Sequence, residues 1–77
     1  MSKAIKKMLF KLFNLCIEAT TISKYSITCE YSGPCDRYSV FAYSKETDEQ
    51  IPIAIAKPIS FKNIKNTKRK ILKMMEE

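Results

Sequence analysis

The side chains able to do covalent or metal chemistry are few: Cys16, Cys29 and Cys35, with no histidine among the 77 residues. Zinc takes four ligands in a tetrahedron, so three cysteines without histidine do not close such a site. Cys29 and Cys35 flank a turn and could pair as a disulfide, which would leave Cys16 over. Three reduced thiols in a reducing, intracellular compartment (cytoplasmic or nuclear) is the preferred reading. Cys35 would need an acidified thiol to act as a nucleophile, and the carboxylate of Asp36 beside it opposes that. The remaining carboxylates gather in a polar stretch (Glu46, Asp48, Glu49) and at the end of the chain (Glu76, Glu77). These are places for solvated charge rather than for an acid–base pair in a cleft. One glycine cannot build a glycine-rich phosphate loop. The expectation is a protein that is not an enzyme and uses no cofactor, metal or small-molecule substrate.

What the chain does offer is positive charge. The net charge is +6, from 14 Lys and Arg against 8 Asp and Glu. Most of it lies in two terminal segments, Lys3 to Lys11 and Lys57 to Lys73. Clustered positive charge suits a polyanion, either nucleic acid or an anionic membrane surface; the plain alternative is solubility. Met1 to Ile17 has the lysines and apolar residues of a signal peptide, but Lys11 and Asn14 interrupt the apolar run. No small-residue cleavage pattern follows it. Leu15 precedes Cys16, so a lipid-attachment site is not expected. No stretch reaches the roughly 20 apolar residues that span a bilayer.

These charges must be held by a small fold. A chain of this size buries only about 60% of its unfolded surface, so residues 1–77 are expected to form a single domain with most apolar side chains in the core. Residues 3–18 read as an amphipathic helix capped by Ser2, with Ile5, Met8, Leu9, Leu12, Phe13 and Cys16 on one stripe. Thr20, Thr21 and Ile22 are β-branched and poor at continuing it. Residues 23–32 alternate as a half-buried strand, with Tyr25, Ile27, Cys29 and Tyr31 on one side. Gly33-Pro34-Cys35-Asp36 is the strongest turn signal. Arg37 to Ser44 reads as a second strand, with Tyr38, Val40 and Ala42 on one face and Phe41 and Tyr43 on the other, which leaves its buried side open. After a polar loop, Ile51, Ile53 and Ile55 alternate with Pro52, Ala54 and Ala56 in a third strand. Pro52 cannot donate a ladder hydrogen bond and so suggests an edge. Ser60 caps a final helix from Phe61 to about Met75, with Phe61, Ile64, Ile71, Leu72 and Met75 inward and Lys68 snorkelling from that stripe. The expected fold is α+β: helix, three-stranded antiparallel sheet, helix, both helices on one sheet face.

That order, in a basic chain of this length, resembles the double-stranded RNA-binding domain. The likeness is carried by three segments. Tyr25 precedes a strand ending in Ser32-Gly33-Pro34. The turn and next strand, Gly33-Pro34-Cys35-Asp36-Arg37-Tyr38-Ser39-Val40, are similar to the family's Gly-Pro-x-His turn and Phe-x-Val strand. Ser60-Phe61-Lys62-Asn63-Ile64-Lys65 is similar to its Ser-Lys-Lys-x-Ala-Lys helix start. Cys35 or Asp36 stands where the family has histidine, and Phe61 where it has the first lysine.

The resemblance implies binding to A-form RNA by shape. Its minor groove is wide, shallow and lined by 2′-hydroxyls, and phosphates border its narrow major groove. The outer face of the first helix (Lys7, Lys11, Asn14) would touch one minor groove. The turn residues Gly33, Pro34, Cys35, Asp36 and Arg37 would enter the next. Lys62 and Lys65 would straddle the intervening phosphates from a helix N-terminus, where free N–H groups and the dipole favour anions. Each also has a plain reading, as a hairpin turn, solvated lysines and an outer helix face. The alternatives to an RNA-binding module are a protein–protein adaptor or a small viral or phage inhibitor of a host factor on the same fold. Membrane-surface binding through the first helix would need the stripe that the core requires.

Overall fold

A computed structural model describes all of residues 1–77 as helix α1 (Lys3–Ile22), strands β1 (Tyr25–Ser32), β2 (Arg37–Ser44) and β3 (Gln50–Pro58), and helix α2 (Phe61–Met75). The strands form one antiparallel sheet in the order β1-β2-β3. Tyr38, Val40 and Ala42 of the central strand are all buried, which settles which face of β2 the helices cover. They join Leu9, Leu12, Cys16 and Ala19 of α1, Ile27 of β1, Ile53 and Ala54 of β3, and Ile64 and Ile71 of α2 in one cluster. Both helices therefore lie on the same side of the sheet, α1 over β1 and α2 over β3, and touch each other. Across this core the Tyr38 hydroxyl meets Thr67 Oγ1 at 2.7 Å. Thr67 also donates to the Asn63 carbonyl at 2.9 Å, so a polar residue is buried on α2 without an orphaned group.

Three elements depart from expectation. Helix α1 runs a full turn past residue 18. Ala19 is completely buried on the same stripe. Thr20 Oγ1 donates to the Cys16 carbonyl and accepts the Ile27 N–H at 2.8 Å, joining the helix to β1. The Lys45 ammonium, far along the chain, donates to the Thr20 and Ser23 carbonyls at 2.6 and 2.8 Å. A cation on the last carbonyls opposes the negative end of the helix dipole, and this outweighs the poor propensity of Thr20, Thr21 and Ile22. The first strand consequently begins at Tyr25, not at residue 23. Of its inward series, Tyr31 is 47% exposed, because it lies beyond the end of the core.

The third departure is in β3. Its pairing with β2 slips twice, between Tyr38 and Val40 and between Val40 and Phe41. Two extra residues are thereby bulged into the edge strand, so the simple alternation fails. Ile53 and Ala54, adjacent in sequence, are both buried, while Ile55 is 57% exposed. Pro52 does lie on an edge strand. Ala56 has φ of 46°, a left-handed conformation that costs an L-residue about 1–2 kcal/mol. It is held there by Ser39 Oγ, which accepts its N–H at 2.9 Å, and by Arg37, whose guanidinium donates to its carbonyl at 2.7 Å. Ala56→Gly should therefore stabilise the fold by up to about 1 kcal/mol, after the unfolded-state entropy that glycine adds. Urea denaturation reads this as a higher midpoint at unchanged slope.

Helix α2 starts and ends as expected, with Ser60 Oγ accepting the Asn63 N–H. Its inward stripe is Ile64, Thr67 and Ile71, flanked by Met74 and Met75. Phe61 and Leu72, expected inside, are 49% and 40% exposed.

Candidate nucleic-acid interface

The geometry of the sheet sets which cations share an end. Arg37, directly after the Gly33–Asp36 turn, pairs with Pro58, the last residue of β3. The start of α2 is tied to that same point by Asn63, whose side-chain amide donates to the Pro58 carbonyl at 2.8 Å. The start of α1 lies there too, since Met1, Lys6 and Phe10 share a pocket with Tyr31 near the end of β1. The other ends of both helices meet at the opposite pole. There Lys45 caps α1, and Tyr25 donates its hydroxyl hydrogen to the Glu77 carboxylate. The two helices thus run in the same direction and present both N-termini beside the β1–β2 turn.

Charge is sorted along the same axis. Lys3, Lys6, Lys7 and Lys11 ride on the first turns of α1, and Lys62 and Lys65 on those of α2. Arg37 and Lys57 stand between them on the sheet. Glu46, Asp48, Glu49, Glu76 and Glu77 collect at the far pole, where they offset Lys24, Lys45 and Lys73. Neither helix has an acidic residue in its first turn. Carboxylates there would be stabilising by about 0.3–1 kcal/mol each, and lysines oppose the dipole instead. Both helices therefore break the same local rule at the same end, where an external anion would satisfy it.

The expected site residues divide into three groups. Lys11 and Asn14 of α1 and Lys65 of α2 line one open groove between the helices, floored by Met8, Leu12, Leu15 and Ile64. Lys7 is exposed on α1 one turn before Lys11, and Lys62 is exposed on the outer side of α2. Gly33, Pro34, Cys35 and Asp36 form an exposed four-residue turn closed by the Asp36 N–H donating to the Gly33 carbonyl at 3.2 Å. The left-handed residue in it is Asp36, with φ of 52°, not the glycine. Gly33 instead lies beside Tyr31, where an added Cβ would sit 3.7 Å from the ring edge. Arg37 keeps one guanidinium nitrogen on the Ala56 carbonyl, so it braces the base of the turn.

Two features of this surface depart from the sequence reading. Lys68 lies beside Lys65 in the groove with Glu18 across from it, rather than lying along an inward stripe. Its position three residues after Lys65 was the available signal. Lys45, which the polar-loop reading gives no structural role, is a helix cap.

The three thiols differ in burial. Cys16 is buried and Cys29 half-buried on facing elements, while Cys35 is exposed in the turn. Burial, with the adjacent Cys29, pushes the Cys16 thiol up to about 12, and burial raises that of Cys29 as well. Thiols raised in this way stay protonated and unreactive near neutrality. No helix is long and apolar enough to cross a membrane. No family model, curated protein or solved structure matches this chain.

Proposed function

We propose that the protein is a non-catalytic module that binds double-stranded RNA through the pole where both helix N-termini and the β1–β2 turn meet. One observation carries this reading: three projecting elements, two of them lysine-bearing helix starts without carboxylates, face the same way. The order of elements, with both helices on one sheet face, is the arrangement the resemblance to the double-stranded RNA-binding domain implies. In this reading the Lys7, Lys11 and Asn14 face of α1 and the Gly33–Asp36 turn contact successive minor grooves. Lys62 and Lys65 sit on the phosphates between them. Phosphates position the protein and carry no sequence information, so recognition follows the shape of the duplex.

The test is direct binding of duplex RNA, duplex DNA and single-stranded RNA of equal length, each at two salt concentrations. Duplex RNA should bind tightest, with an affinity that falls linearly with salt on logarithmic axes. Equal affinity for both duplexes would reduce the site to a general polyanion surface. No duplex RNA binding at low salt would favour the adaptor or host-factor reading.

A further inference from the structure

Beside the proposed duplex face, on the flank of α1 turned away from α2, is a pocket that the duplex reading does not use. It is lined by Met1, Lys6, Leu9, Phe10, Phe13 and Tyr31, with a volume of ≈ 360 Å³. Its exposed members are large: Phe10 and Met1 are each 57% exposed and Tyr31 47%. A chain this small gains stability from every buried apolar group, so Phe10 and Tyr31, left exposed at an open pocket beside the half-buried Phe13, call for an occupant. What distinguishes the pocket from a plain apolar patch is its border. The Lys6 ammonium stands 5.8 Å from the centre of the Phe10 ring. Lys3 and Lys7 are exposed on the same two turns of α1, and no acidic residue lines the pocket.

An apolar peptide would gain nothing from a cation at the pocket's edge. A ligand made of flat rings joined by phosphates would use both parts. We infer that this pocket accepts an unpaired nucleobase, from a strand end, bulge or loop, stacked on Phe10 and Tyr31 with its phosphate held by Lys6. Stacking is tolerant of base identity because every base has a π-face, and alternating lysines and aromatics is how single strands are held. The edge of the Tyr31 ring lies beside Gly33, so the pocket adjoins the turn proposed to enter a minor groove. The inference rests on that duplex reading for its setting. It implies that the module distinguishes a blunt duplex from one with an unpaired neighbour.

The experiment compares a blunt RNA duplex, the same duplex with a two-nucleotide 3′ overhang, and a short single-stranded RNA, with wild type, Phe10→Ala and Phe10→Leu. The overhang should tighten binding by about fivefold or more, the low end of what stacking one base gives. Phe10→Ala should remove that gain and leave blunt-duplex affinity and its salt dependence unchanged; Phe10→Leu, apolar but without a π-face, should behave like it. A 2-aminopurine placed in the overhang should be quenched by wild type only. Because Phe10 is largely exposed, both variants should melt like wild type. An overhang that adds nothing to measurable blunt-duplex binding overturns the inference and spares the duplex reading. Single-strand binding that needs Phe10, without any duplex binding, keeps the pocket and removes the duplex reading. An equal loss for all RNAs in Phe10→Ala, or self-association that Phe10→Ala abolishes while overhang selectivity persists, overturns the pocket assignment.

Discussion

Ile53→Ala should destabilise the protein by about 2–5 kcal/mol, and Ile55→Ala, two residues along the same strand, by less than about 0.5 kcal/mol. Ile53 is 6% exposed within the shared core, and Ile55, which lies in the second bulge along β3, is 57% exposed. Truncating Ile53 removes transfer free energy and leaves a cavity between β3 and α2. The surrounding side chains are fixed by both elements and can relax only in part. Total stability for 77 residues is on the order of 4–12 kcal/mol, so this one change removes a large fraction of it. Urea denaturation of both variants measures the contrast, with equal slopes required for a simple reading. Equal losses at the two positions would mean that β3 keeps a regular alternation, and the bulged register would be wrong.

Lys62→Ala combined with Lys65→Ala should weaken duplex RNA binding by on the order of tenfold at 0.1 M salt, whatever the sequence. The slope of log affinity against log salt should fall in magnitude by about 2, one for each phosphate left without its lysine. Folding should be unaffected, since both lysines are exposed and removing them relieves cations from a helix N-terminus. The matching control is Arg69→Ala combined with Lys73→Ala, which removes the same two charges from further along α2. Lys45→Ala is unsuitable, because it would uncap α1. Retained affinity with an unchanged slope in the double variant would take Lys62 and Lys65 out of the interface.

How far the sequence reached depended on whether local signals were opposed by distant partners. Helix α2 was legible to its ends because Ser60, the Ile64 and Ile71 spacing and the final basic turn all agree, and nothing elsewhere overrides them. The span of β2 and the turn before it were equally clear, but the buried face of β2 was not, since Tyr38, Val40 and Ala42 compete with Phe41 and Tyr43 and only the helices decide. The end of α1 was not, because its last turn is held by Thr20 reaching β1 and Lys45 reaching back across the fold. No window of neighbouring residues contains those partners. The β3 bulges were hidden for a similar reason: Ile51, Ile53 and Ile55 look like a regular strand, and only pairing with β2 reveals the slip. For the candidate site, Lys7, Lys11, Asn14, Lys62 and Lys65 were named by the resemblance, laid onto an outer helix face and a helix start. The groove that joins Lys11 to Lys65 and Lys68 exists only once the two helices lie side by side. The pocket at Phe10 likewise needs Tyr31 from another element.

Carboxylates at the far pole offset Lys24, Lys45 and Lys73 there, so the excess positive charge lies at the helix N-termini, and this bears on how fast a polyanion would be met. A molecule with separated charge carries a large dipole moment, and the field of a polyanion turns it during approach. The lysine pole then leads and the Glu46–Glu49 loop trails, so fewer collisions arrive in useless orientations. Steering of this kind raises association rates by about 10–1000-fold and fades as salt shortens the range of the field. Reversing the trailing end, with Glu46→Lys and Glu49→Lys, would increase net charge while reducing that torque. Total attraction and arrival in the correct orientation are therefore separable quantities in this fold.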